Sequence, residues 1–147
     1  MKSYRSARSL ISEIQRTLAH NQPTFHRSPL EDVAELLVEG RHYSWVGIYL
    51  TVDSSHSSPL WENAPAAHPG QLAFPGTCKK ILVSMKVAGR EIGQLNVESD
   101  RENAFGSGER VLLERVAGLL ARFLAGPGKY LVLRTAKGEP APRAAAA

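Results

Sequence analysis

Gln94, Asn96 and Glu98 recur at every second position of one short segment. On an extended strand that spacing points all three side chains to the same face. Two amides and a carboxylate converging on one surface can bind a small polar molecule, or can bond to a covering loop. Cys78 is followed by Lys79 and Lys80, a setting that can lower a thiol pKa and make the sulfur reactive. The other chemistry-bearing residues are less organised. His20, His26, His42, His56 and His68 show no metal-ligand spacing, so no metal is expected. Ser54 to Ser58 with His56 form a polar run without a nucleophile elbow. Gly106-Ser107-Gly108 ahead of a helix fits an anion site or, more simply, a helix cap.

Composition narrows the classes. The chain has 147 residues, the size of one domain, and can bury a core without metal or disulfide staples. Eighteen basic residues against fourteen acidic give +4, but they form no dense run, so no nucleic-acid partner is expected. A single cysteine excludes an intrachain disulfide. The segment MKSYRSARSLISEIQRTL has no continuous apolar stretch, so it reads as neither signal peptide nor membrane span. A cytoplasmic protein with no membrane partner and no cofactor is expected.

The elements that must position these residues can be read from periodicity. Leu10, Ile11, Ile14 and Leu18 make the stripe of a helix over 4–19, closed by Asn21-Gln22-Pro23. Ser28 caps a second helix, with Pro29 at its first position and Leu30, Val33, Ala34 and Leu37 on its apolar face. Trp45 to Val52 is apolar, aromatic and β-branched, and reads as a central strand covered on both faces. Gly47 inside it implies that something packs close. The 53–80 segment is rich in serine and proline, with apolar islands at Leu60-Trp61 and Leu72-Ala73-Phe74. Trp61 and Phe74 either close over a ligand or pin the segment to the sheet. Ile81 to Val87 and Glu91 to Ser99 form a hairpin about Ala88-Gly89. Ser107 is expected to cap a long helix that ends at Gly126-Pro127-Gly128. Residues 129–135 are expected to add an edge strand, and 136–147 a disordered tail, to a single domain of 1–135 with its core in 28–125.

An unbroken hairpin ladder sets Lys86 opposite Glu91, Ser84 opposite Gly93 and Leu82 opposite Leu95. One face then carries Leu82, Ser84, Gly93, Leu95 and Val97, and is expected to lie under the helices. The other carries Ile81, Val83, Met85, Ile92, Gln94, Asn96 and Glu98, a mixed apolar and polar surface suited to a pocket.

The order is α+β. Trp45-Val46-Gly47-Ile48-Tyr49-Leu50 resembles the first strand of GAF domains, and Ile81 to Ser99 resembles their hairpin. In that family an apolar strand leads through an X-Gly-Arg turn into Ile-Gly-Val-Leu-Asp-Ile-Asp-Ser. Asn103-Ala104-Phe105 is similar to the turn that follows. The resemblance covers about residues 30 to 124. It implies a central antiparallel sheet with terminal helices on one face and a loop region, here shortened, over a ligand pocket on the other. The implied binding residues are Trp45, Tyr49, Phe74, Met85, Gln94, Asn96 and Glu98. The implied partners are a small-molecule effector and, through the terminal helices, a second copy of the chain. The shortened 53–80 segment gives a deep closed pocket and cyclic nucleotides little support.

The strand motifs are closest to the free methionine-(R)-sulfoxide reductases, a catalytic GAF subgroup. Their chemistry needs one thiolate to attack sulfur and a second thiol to resolve the sulfenic acid. Here Cys78 is alone, so such catalysis needs an external thiol. Lys79 and Lys80 stand where the subgroup carries an acid, and Asn96 and Glu98 stand for its two aspartates. The expectation is a non-catalytic sensory or binding module. The alternatives are a Cys78-dependent reductase and a structural domain without a pocket.

Overall fold

In the computed structural model, the described residues are 5–20, 28–41, 43–52, 57–62, 79–99 and 105–136. The elements run α1 (Ala7–Ala19), α2 (Pro29–Arg41), β1 (Trp45–Thr51), β2 (Ser57–Glu62), β3 (Lys79–Val87), β4 (Arg90–Ser99), α3 (Ser107–Ala125) and α4 (Lys129–Ala136). Four strands form one antiparallel sheet in the order β2-β1-β4-β3. This is an α+β arrangement.

The helices form where capping and apolar spacing coincide. Ser6 caps α1, its hydroxyl accepting from the Ser9 N–H at 3.2 Å. Leu10, Ile11, Ile14 and Leu18 are its buried stripe. The Ser28 hydroxyl accepts from the Leu30 N–H at 3.1 Å and opens α2. The α3 cap is Gly106 and makes no side-chain capping bond; Ser107, expected as the cap, is the first helical residue. Glu109 turns instead to bind Arg41 and Tyr43, tying α3 to the end of α2.

One core lies between these helices and one face of the sheet. It joins Leu10, Ile14, Leu30, Leu37, Leu113, Val116 and Leu120 to Val46, Ile48, Trp61, Ile81, Val83, Met85, Leu95 and Val97. Each fully buried leucine or valine contributes about 1.5–3 kcal/mol relative to exposure. Trp61, weighed above as a ligand cover, is part of this core.

The hairpin turns as expected but pairs differently. Ala88 and Gly89 both have positive φ, 52° and 78°, as a two-residue hairpin turn requires. Lys86 lies opposite Glu91, but the register then shifts, and Met85 pairs with Gly93, Ser84 with Gln94, Val83 with Leu95 and Leu82 with Asn96. Ile92 is the extra residue of a β-bulge. A one-residue slip exchanges the faces of a strand. Ile81, Val83 and Met85 therefore join Leu95 and Val97 under the helices, while Leu82 and Ser84 join Gln94 and Asn96 on the far face. A methyl group on Gly93 would meet the Tyr49 carbonyl oxygen at 2.1 Å and the Met85 Cε at 2.4 Å. The space beside Gly93 is thus filled by strand and side chain.

Residues 129–135, expected as an edge strand, form α4 instead. The Gly128 N–H bonds back to the Phe123 carbonyl at 2.8 Å, and the Leu131 N–H to the Gly128 carbonyl at 3.0 Å. That turn bends the chain by 79° into a new helical start. Leu131 enters the core and Tyr130 and Val132 pack on it, a grouping helix geometry permits and strand alternation does not.

Candidate functional site

The sheet face turned away from the core is built on β1 and β4. Their register sets Trp45 opposite Glu98, Gly47 opposite Asn96 and Tyr49 opposite Gln94. Across β4, Lys80 lies opposite Glu98 and Leu82 opposite Asn96. On the other flank of β1, Glu62 lies opposite Gly47. Trp45, Tyr49, Gln94, Asn96 and Glu98 are therefore brought together, with Lys80 and Glu62 beside them.

Met85, expected in this group, points to the opposite face and is buried in the core. The bulge beside it is the reason. Phe74 and Cys78 lie outside the described residues. Lys80 and Glu62 were missed by sequence reasoning, although Lys80 shares the alternation of Leu82 and Ser84.

Gly47 explains how the aromatic residues meet. Trp45 and Tyr49 flank it on the same face, with ring centroids 6.4 Å apart. A Cβ on Gly47 would lie 2.3 Å from the Trp45 ring and 2.7 Å from the Tyr49 ring. Only glycine lets both rings lean over the strand. Trp45 is 2% exposed, yet it stands outside the core cluster. Burial on this face is thus separate from the helix-side core.

Polar groups line the floor. Glu98 is 0% exposed, and its Oε2 lies 3.7 Å from Lys80 Nζ. The Asn96 Oδ1 is buried without a hydrogen-bond partner. The Tyr49 hydroxyl donates to Glu62 Oε1 at 2.8 Å. Burial first, then the hydrogen bond to Glu62 and the charges of Glu62 and Glu98, hold the Tyr49 phenol far above its ordinary pKa. The phenol stays a neutral donor at any physiological pH. Further along this face the Glu91 carboxylate accepts from Ser84 Oγ at 2.6 Å and Thr51 Oγ1 at 3.1 Å. Among the described residues no group of three or more His, Cys, Asp or Glu could hold a metal ion.

Chemically, this surface presents two aromatic faces, buried acceptors and one ammonium group. It can hold a small molecule with an apolar part against Trp45 and Tyr49 and hydrogen-bond donors toward Asn96 and Glu98. Among the described residues it contains no cysteine.

No family model matches the chain, and no curated protein matches it. Solved structures do. A free methionine-R-sulfoxide reductase from Neisseria meningitidis, in complex with its substrate, superposes with a TM-score of 0.63 at 18% identity, over 86% of this chain and 96% of that one. The GAF domain of a phosphoenolpyruvate-protein phosphotransferase from Coxiella burnetii gives a TM-score of 0.63 at 13% identity, over 90% and 96%. A GAF domain from A. aeolicus in an inactive state gives 0.53 at 14% identity, over 81% and 95%. The domain is GAF-like. Its neighbours include GAF domains and a reductase, so the fold alone does not choose a function.

Proposed function

We propose that this GAF-like domain is a non-catalytic module that binds a small effector on the sheet face away from the helices. One observation carries the reading: Trp45 and Glu98 are buried on that face, outside the helix-side core, around the unpartnered Asn96 Oδ1. A buried acceptor left without a donor costs about 1–3 kcal/mol, a cost that a bound donor removes. In this reading Trp45 and Tyr49 hold the apolar part of the effector. Gln94, Asn96 and Glu98 fix its polar part, and Lys80 balances the charge of Glu98. The reductase reading depends on Cys78, outside the described residues.

A thermal-shift screen tests the proposal, with amino acids, methionine sulfoxide, nucleotides, cyclic nucleotides and tetrapyrroles as the panel. A compound at a hundred times its dissociation constant adds about 2.7 kcal/mol to the native state. The expected result is a shift that Gln94→Leu and Asn96→Leu remove in folded protein. Absence of any shift favours a domain without a pocket. Turnover of methionine sulfoxide that needs added thiol and is lost in Cys78→Ser favours the reductase. Association into a homodimer through the terminal helices belongs to the same proposal. Sedimentation at rising concentration checks it, and a monomer throughout removes it.

A further inference from the structure

The second edge of the sheet carries a separate feature. β3 is an outermost strand, and among the described residues no strand pairs with its outer side. Between that side and α3 runs a groove of about 410 Å³, lined by Leu82, Val83, Ser84 and Lys86 on the strand and by Arg110, Glu114 and Gly118 on the helix. The helix residues recur every fourth position and so form a single wall. From Arg110 to Gly118 that wall is about 12 Å long at 1.5 Å per residue. From Leu82 to Lys86 the strand wall is about 13 Å long at 3.3 Å per residue. The two walls match, and the groove has the length of roughly four extended residues.

Gly118 widens it. A glycine inside a helix costs about 1 kcal/mol against alanine. A Cβ there would meet nothing within 4 Å, so no packing neighbour accounts for the glycine. Its effect is to leave the groove open beside the strand. Leu82 on the opposite wall is 52% exposed.

We infer that β3 and α3 form a docking groove for an extended, acidic peptide segment of a partner protein, which adds to the sheet as a fifth strand. Strand addition beside a helix satisfies the edge backbone groups and takes specificity from the groove walls. The occupant's charge follows from the lining. Lys86 and Arg110 outweigh Glu114, and the exposed Lys79 extends the positive charge along the strand. A second copy of the chain is the wrong occupant. Two β3 strands paired about Val83 would set Lys80 opposite Lys86 twice, and like charges facing across strands repel. Lysines on an edge strand guard against such self-pairing while attracting a carboxylate-bearing strand.

Fluorescence anisotropy of the full chain tests this, with a labelled peptide of alternating glutamate and valine as probe and its lysine-for-glutamate counterpart as control. The acidic peptide is expected to bind, more weakly as salt rises, and the basic one to fail. Lys86→Glu with Arg110→Glu is expected to weaken binding by about tenfold or more. Gly118→Leu fills the groove and raises helix propensity, so it is expected to keep the fold and abolish binding; Gly118→Ala is the milder check if it does not. Amide exchange is expected to slow on β3 when the peptide is bound. No binding, equal binding of both peptides, binding untouched by the Gly118 variants, or protection on β2 instead of β3 would each overturn the inference.

Discussion

Gly47 shows how one missing side chain organises the candidate site. A side chain there would collide with both the Trp45 and the Tyr49 ring, which lean inward over it. Gly47→Val forces both rings aside and is expected to cost about 1–3 kcal/mol, the range for overpacking, read as a lower midpoint in urea. Tyr49 supplies a second prediction at this scale. Its folded pKa lies above the unfolded value of about 10, so the native state keeps a proton that the unfolded chain loses. Its contribution to stability is complete below pH 10 and is lost as pH rises above it. Wild type is therefore expected to lose stability above pH 10 more steeply than Tyr49→Phe, as measured by denaturation midpoints across that range. Equal slopes would contradict the burial assigned to the phenol.

At the scale of elements, the junction between α2 and α3 rests on Arg41, Tyr43 and Glu109. The Arg41 and Glu109 side chains are only 11% and 13% exposed. Removing Glu109 takes the carboxylate from both Arg41 and Tyr43 at a site largely shielded from water, and Glu109→Ala is expected to cost about 3 kcal/mol. Replacing Arg41 and Glu109 together by apolar residues is expected to cost less, and chemical denaturation of the single and double variants checks both. The hairpin offers the opposite case. Ala88 holds a positive φ that asparagine tolerates better, so Ala88→Asn is expected to stabilise the domain by about 0.5–1 kcal/mol. The elements were largely legible in the sequence because their signals are local: a cap at Ser28, helical stripes, and an X-Gly turn. The bulge was not. It depends on one residue, Ile92, and its only signal was the mismatch an unbroken ladder created, with Ile81, Val83 and Met85 set beside Gln94 and Asn96. Matching apolar to apolar positions across the two strands requires the shift. Residues 129–135 misled for another reason. A run of seven mostly apolar residues fits either period, and tertiary packing of Leu131 decides it.

For the whole molecule, the sheet divides two kinds of surface. One face builds the hydrophobic core with four helices, and the other gathers Trp45, Tyr49, Gln94, Asn96 and Glu98. Composition along a single strand already separated these roles on β4, where apolar Leu95 and Val97 alternate with polar Gln94, Asn96 and Glu98. Lys80 and Glu62 were hidden because their place depends on strand pairing, which no local pattern states. Among the described residues no single helix is long and apolar enough to cross a membrane. The apolar content of α3 is instead spent on the core, where Leu112, Leu113, Val116, Leu120 and Leu124 are buried.

Under the proposed function, the face away from the helices binds a small molecule. The two tryptophans of the chain report on opposite faces, Trp45 on that surface and Trp61 in the core. Fluorine NMR of protein labelled with 5-fluorotryptophan, recorded against the screening panel, reads the two separately. A ligand that moves the Trp45 resonance, leaves Trp61 in place and loses its effect in Asn96→Leu is the expected result. A panel in which no compound moves Trp45, or in which every active compound moves Trp61 instead, would contradict binding at this face.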